Sequence, residues 1–100
     1  MEKLISVLTL SKKARKLIMG FDVVKEAVLD QTAKLVLLSK DVSPKTQKEV
    51  TFICQKHQMN TVVVPLEMDE LWYLLGKKAA VLAVTDQGFA EKIVSLLQAE

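Results

Sequence analysis

The run Leu35-Val36-Leu37-Leu38 constrains the fold more than any other stretch of this sequence. Four consecutive apolar residues leave a strand without a polar face, so other parts of the chain must cover it on both sides. Segments with one apolar face at helical spacing precede and follow the run, and they are suited to form these covers. The sequence therefore predicts a central strand with helices on both faces.

The other elements alternate between helix and strand. Val24, Ala27 and Val28 share one helical face, and Gly76 followed by two lysines is typical of a helix end. We expect helices over 2–14, from Asp22 to about 30, from Ser43–Pro44 to about His57, from Asp69 to Gly76 and after Gly88, with strands over 16–19, 35–39, 61–64 and 81–85. The expected fold class is α/β: a three-layer α/β/α sandwich with a four-stranded mixed sheet, forming one domain over residues 1–100.

Charge is unevenly distributed along the chain. The net charge is only +2, but residues 1–20 carry five basic residues and one acidic residue. Lys12, Lys13, Arg15 and Lys16 supply most of this excess, and together they predict a basic face that could hold phosphates. An ordinary solvated helix surface would give the same pattern, so the cluster alone leaves both interpretations open.

The sequence argues against an enzyme. Cys54 and His57 share a helix face, but two ligands are too few for a zinc site and the chain has no other Cys or His. Cys54 is better explained as a small core residue. The three glycines stand singly at turns and form no phosphate-binding loop, and the carboxylates are scattered. We expect no cofactor and no small-molecule substrate.

Three observations indicate where in the cell the protein is found. The single cysteine permits no internal disulfide, and no apolar run is long enough to span a bilayer. The N-terminal segment lacks the pattern of a signal peptide, since four basic residues follow its apolar stretch without a cleavage site. We expect a cytoplasmic protein that does not bind membranes.

Trp72 and Tyr73 are adjacent on a helix whose inward face is Leu71, Leu74 and Leu75. At least one of the two aromatic side chains should therefore be partly exposed. Such a side chain can stack on bases or anchor a protein partner, although packing over the edge of the helix is the simpler explanation of Trp72.

Several segments resemble, in order and spacing, the L7Ae ribosomal protein family, with the small bacterial YlxQ-like branch as the nearest match. The segments are Lys16–Gly20, Val24 with Ala27, Ala33–Leu38, Asp41–Pro44, Leu71–Gly76 and Ala83–Phe89. The resemblance covers nearly the whole chain and implies the sandwich fold predicted above. It also implies binding of structured RNA, typically of kink-turns, and an association with ribosomal particles.

The resemblance places RNA contacts at three turns and their flanking helix starts. Together with the basic cluster of Lys12, Lys13, Arg15 and Lys16, the implied RNA-binding residues are Gly20, Phe21, Asp22, Lys25, Glu26, Lys40, Asp41, Asp86, Gln87 and Gly88.

The sequence also departs from the family pattern. Kink-turn binders begin the relevant helix with Gly-x-Asn-Glu-x-x-Lys, and of these residues only Gly20 is kept. Asp22, Val23 and Glu26 occupy the Asn, Glu and Lys positions, so a negative charge stands where a cation would meet phosphate. Arg15 and Trp72 occupy positions that are commonly glycine in the YlxQ-like branch.

Two functions follow from these observations. The first is a non-catalytic, ribosome-associated protein that binds structured RNA. The second is a protein-interaction module that has kept the fold with weak RNA affinity, using Trp72 and the acidic C-terminal third of the chain as its surface.

Overall fold

The computed structural model describes residues 1–98, which form five helices around a four-stranded sheet. The elements in chain order are α1 (Glu2–Lys13), β1 (Leu17–Met19), α2 (Phe21–Leu29), β2 (Leu35–Leu38), α3 (Pro44–Lys56), β3 (Thr61–Val63), α4 (Met68–Leu75), β4 (Val81–Val84) and α5 (Gln87–Gln98). The predicted order and type of the elements are confirmed, and their ends differ from the predicted ones by a residue or two.

The sheet has the strand order β1-β4-β2-β3. β2 lies between an antiparallel neighbour, β4, and a parallel neighbour, β3, while β1 pairs antiparallel with β4. The sheet is therefore mixed, and the predicted central position of β2 is confirmed.

β2 is buried on both faces, and its alternating side chains enter two separate cores. Leu35 and Leu37 join the core formed with α1, α4 and α5, while Val36 and Leu38 join the core formed with α2 and α3. All four residues are at most 1% exposed. The three-layer α/β/α sandwich predicted from the sequence is confirmed.

Helix starts show where local sequence signals succeed and fail. α3 starts at Ser43–Pro44 as predicted. Ser43 is its cap, since its hydroxyl accepts a 3.2 Å hydrogen bond from the Thr46 N–H, and Pro44 is the first helical residue. Asp69, where the sequence predicts this helix to begin, lies in the first turn of α4 and is not its cap. Glu67 caps α4 through a capping box, in which the Glu70 carboxylate accepts a 2.9 Å hydrogen bond from the Glu67 N–H.

The start of α2 also differs from the prediction. Phe21 is the first helical residue and Gly20 is the cap, with a φ of 122° that L-residues rarely adopt. Asp22 lies within the first turn, where its charge favours the positive end of the helix dipole without acting as a cap. The glycine therefore places the chain reversal immediately after β1.

α1 ends in a Schellman motif centred on Arg15. The Lys16 N–H donates to the Ser11 carbonyl at 2.8 Å and the Arg15 N–H donates to the Lys12 carbonyl at 3.0 Å. Arg15 adopts a φ of 61°, the left-handed conformation in which a side chain is strained. This geometry gives a physical reason why glycine suits the position.

We predict that Leu37→Asp will lower the free energy of unfolding by at least about 4 kcal/mol, because it leaves a charge without partners in a dry core. Leu37→Ala should cost about 2–5 kcal/mol through the cavity alone. Val63→Asp is the matched control, since Val63 is 48% exposed on the edge strand β3, and it should cost about 1 kcal/mol or less. Urea titrations of all three variants test this, and a Leu37→Asp protein that unfolds with its parent would contradict it.

We predict that Arg15→Gly will unfold at higher urea than Arg15→Ala, by about 0.5–1 kcal/mol. Glycine removes the left-handed strain, and part of this gain is offset by its greater freedom in the unfolded chain. Ser6→Gly is the control of opposite sign, because Ser6 is exposed in the middle of α1, where glycine costs roughly 0.5 kcal/mol more than serine. Equal stability of the two Arg15 variants would mean that the left-handed conformation carries no strain.

Candidate RNA interface

Strand directions divide the turns of the molecule between two opposite edges of the sheet. β1 and β2 end at the edge where β4 begins, which we call the α2 edge because α2 starts there. β1 and β2 begin at the edge where β4 ends, which we call the α5 edge because α5 starts there. With four-residue strands rising about 3.3 Å per residue, the two edges are roughly 13 Å apart.

The α2 edge brings together three segments that are distant in sequence. The Gly20 N–H donates to the Val81 carbonyl at 2.9 Å, which joins the start of α2 to the start of β4. The Ser39 N–H donates to the Ala80 carbonyl at 2.9 Å, which adds the end of β2 to the same edge. The implied RNA-binding residues found here are Gly20, Phe21, Asp22, Lys25, Glu26, Lys40 and Asp41.

The first turn of α2 presents backbone donors at this edge. Gly20 has no side chain with which to cap the helix, and the first backbone hydrogen bond within the helix is donated by Val24. The N–H groups of Phe21, Asp22 and Val23 are therefore without partners within the helix, at its positive end. Such groups are suited to bind an anion.

Side chains around this turn have different roles. Phe21 is half-buried and packs against the core beneath α2 and α3, so only part of its ring can meet a ligand. Asp22, Lys25 and Glu26 are exposed, as the inward placement of Val24 and its neighbours predicts. The carboxylates of Asp22 and Glu26 oppose the approach of phosphate to the helix start.

Lys77 adds a cation at the α2 edge that the sequence analysis missed. Its ammonium donates to the Met19 carbonyl at 3.1 Å and lies 3.6 Å from where a Cβ on Gly20 would stand. Lys78 follows, and its ammonium is 3.2 Å from Asp69 Oδ1. The signal was visible in the sequence, because only two alanines separate these lysines from a strand that must enter the sheet.

The Lys12 side chain reaches the start of the loop that carries Lys77 and Lys78. Its ammonium donates to the Leu75 carbonyl at the C-terminal end of α4 and lies 3.3 Å from where a Cβ on Gly76 would stand. A cation at this position satisfies an unpaired carbonyl and complements the helix dipole. Lys12 therefore stabilises the C-terminal end of α4, directly before the α4–β4 loop that carries Lys77. Its predicted place in a basic cluster is a separate matter.

The Lys40–Asp41 turn links the α2 edge to α4. The Lys40 N–H donates to the Leu66 carbonyl at 2.9 Å, and Asp41 Oδ1 accepts a 3.0 Å hydrogen bond from the Met68 N–H. Partial desolvation acts to raise the pKa of the Asp41 carboxyl, but hydrogen bonds, led by the one from Met68, outweigh it and hold this pKa below its ordinary value. The Asp41 side chain is thus committed to positioning α4, whereas Lys40 is exposed.

The α5 edge holds the other implied residues. The Thr85 N–H donates to the Lys16 carbonyl at 2.8 Å, so Arg15 and Lys16 lie beside the end of β4. Asp86 Oδ2 accepts a 2.9 Å hydrogen bond from the Phe89 N–H, and the Gln87 amide donates to Glu91 Oε2 at 3.1 Å. Gly88 follows in the first turn of α5, close to the Asp86 carboxylate. The structure therefore does not bring Asp86, Gln87 and Gly88 to the turn at Gly20–Asp22.

Three further findings concern other kinds of site. Cys54 is 1% exposed in the core between α2 and α3, and this burial raises the pKa of its thiol. Within residues 1–98 no three His, Cys, Asp or Glu side chains lie close enough to hold a metal ion. No helix of this part of the chain combines the length and apolar character that a bilayer span requires.

Residues 2–94 match the ribosomal protein L7Ae/L30e/S12e/Gadd45 family. The chain belongs to this family. It is 41% identical over 96 residues to a protein of Bacillus subtilis strain 168 named RNA-binding protein YlxQ, with 91% of each chain covered. A second protein of that name, from Enterococcus faecium, is 27% identical over 97 residues, covering 97% of this chain and 93% of that relative.

A solved structure supports the fold independently. A protein of unknown function from Bacillus halodurans superposes with a TM-score of 0.89 at 33% identity, covering 96% of this chain and 97% of that protein. The resemblance to the L7Ae family and its YlxQ-like branch, which the sequence motifs indicated, is confirmed.

Proposed function

We propose that this chain is a non-catalytic RNA-binding protein that holds a structured RNA of the kink-turn type at the α2 edge. Membership of the L7Ae family and the relatives named RNA-binding protein YlxQ support the RNA-binding part of the proposal. The observation that carries the choice of surface is the position of the Lys77 ammonium against Gly20, beside the N–H groups of the first turn of α2 that have no partner within the helix.

This arrangement suits a phosphate backbone. Backbone N–H groups and the positive end of the α2 dipole can hold one phosphate, while Lys77, Lys78 and Lys40 neutralise its neighbours. The contacts to the backbone would set the position of the RNA, and RNA shape would then provide much of the selectivity. Ribosomal RNA in the cytoplasm is the natural target in this proposal, and ribosomal particles are its partner.

The α5 edge and the basic cluster have a secondary place in the proposal. Arg15 and Lys16 lie across the sheet from Gly20, so an RNA seated at the α2 edge reaches them only if it extends along the molecule. Asp86, Gln87 and Gly88 share that position. These residues would then contact a flanking helix of the RNA rather than the bound turn.

One observation favours a second candidate, a protein-interaction module. Tyr73 is 90% exposed and borders an open apolar depression. Its other lining residues are Met1, Ile5, Leu66, Asp69, Glu70 and Leu74. The carboxylates at its rim repel RNA and suit a basic protein segment. Absence of binding to both a kink-turn RNA and total ribosomal RNA in gel-shift titrations would favour this candidate.

The choice of edge can be tested with three charge-matched double variants titrated against one kink-turn RNA. We predict that K77A/K78A will weaken binding most and will reduce the slope of log K against log salt by up to about 0.9 per lost phosphate contact, if RNA behaves like duplex DNA. R15A/K16A should have a smaller effect, and K48A/K56A, at exposed positions beyond the first turn of α3, should have almost none. Thermal melting of each variant checks that the fold is kept.

The outcomes separate the surfaces. If R15A/K16A weakens binding more than K77A/K78A does, the α5 edge is the interface. If all three variants bind alike, binding follows net charge and the proposed site is wrong.

We also predict that Glu26→Lys will tighten kink-turn binding about ten-fold or more. At a separation of ~6 Å, like charges repel by roughly 0.7 kcal/mol in water and roughly 3 kcal/mol at an effective dielectric near 20, and each factor of ten in affinity is ~1.4 kcal/mol. Glu49→Lys is the control, since it makes the same charge change at an exposed position of α3. Both should keep the parent's stability. Equal affinities of the two variants at one fixed salt concentration would place position 26 outside the interface.

A further inference from the structure

Trp72 is the largest side chain that the fold leaves in solvent. It is 55% exposed on α4, although the same helix buries Leu71 and Leu75 almost completely. The indole therefore contributes much less to the core than its apolar area would allow. A flat aromatic surface remains available at the outside of the helix.

The surroundings of Trp72 are cationic on the side of the α4–β4 loop. The Lys78 ammonium lies 6.0 Å from the centroid of the indole ring and 3.2 Å from Asp69 Oδ1. Both members of this ion pair are exposed, so the pair holds Lys78 only weakly and a phosphate could draw it away. The distance to the ring is at the outer limit of a cation–π contact, which leaves the ring open to a better partner.

Trp72 is continuous with the proposed RNA site. Lys77, the neighbour of Lys78, places its ammonium against Gly20 and the Met19 carbonyl. The start of α2, the two consecutive lysines and the indole thus form one strip of surface. Resting on the proposed function, we propose that Trp72 stacks on an unpaired base of the RNA held at the α2 edge, while Lys78 binds a phosphate next to that base.

The observations favour a base over a protein side chain as the partner of Trp72. Base stacking on an exposed aromatic ring beside cations is the usual combination in proteins that bind unpaired nucleotides. Tyr73 has a different environment, since it lies about 100° further around α4 and borders the depression that includes Asp69 and Glu70. The adjacent residue is therefore a control for aromatic exposure on the same helix, on a side lined by carboxylates and apolar residues.

The experiment uses the intrinsic fluorescence of Trp72, which is the only tryptophan of the chain. Titration of the whole protein with a kink-turn RNA should quench its emission in parallel with binding measured by gel shift. Trp72→Ala should weaken binding by about 5- to 150-fold, the range that corresponds to losing one stacked base. Trp72→Phe should keep most of the affinity, and Tyr73→Ala should change it by less than about two-fold.

A second RNA series identifies the base. Each unpaired nucleotide is replaced in turn by an abasic one, and every RNA is titrated with the parent and with Trp72→Ala. At one position the abasic RNA should bind the two proteins equally, because the stacking partner has already been removed. Thermal melting of Trp72→Ala serves as the folding control, and its exposed position predicts little change.

The outcomes distinguish this inference from the function on which it rests. If the parent binds the RNA without quenching, and Trp72→Ala binds as tightly as the parent, the stacking is refuted while the proposed RNA binding stands. If no abasic position removes the difference between the two proteins, Trp72 acts by some route other than stacking on a base. If the parent binds no RNA at all, both proposals fail and the exposed aromatic pair is left to a protein partner.

Discussion

The complete burial of β2 is the constraint on which the rest of the structure depends. Leu35 and Leu37 require one layer of helices, and Val36 and Leu38 require another on the opposite face. A chain that supplies both layers must cross from one face of the sheet to the other around its ends. Turns and their polar residues are therefore concentrated at two sheet edges, and a binding surface of this fold can be built there without disturbing either core.

The insertion of β4 between β1 and β2 decides which of these turns meet. Because β4 runs antiparallel to both neighbours, the loop before it reaches the turn after β1, and the loop after it lies at the opposite edge. Lys77 is consequently beside Gly20, while Asp86 is not. Strand order is a property of the whole sheet. The sequence of each loop alone therefore could not show that Lys77 lies beside Gly20 and that Asp86 lies at the opposite edge.

Local features were predicted well wherever one interaction controls them. The apolar face of α2, the Ser43 cap and the left-handed Gly76 at the end of α4 are each set by residues within one helical turn. The start of α4 was missed because several acidic residues compete there, and Glu67 gains a second hydrogen bond through Glu70 that no single-residue signal reveals. The exposure of Trp72 was predicted only as one of two alternatives, and its position near the Lys78 ammonium was not predicted because Lys78 belongs to the following loop.

The start of α2 combines two opposing electrostatic effects. Asp22 in the first turn stabilises the positive end of the helix, and the same charge, together with Glu26, weakens that end as a phosphate site. Under the proposed function, much of the attraction for RNA must therefore come from cations outside the helix. The α4–β4 loop supplies them, because Lys77 is fixed against Met19 and Lys78 is held by an exposed ion pair. In this proposal α2 contributes shape and backbone N–H donors, and the α4–β4 loop contributes the positive charge that α2 lacks.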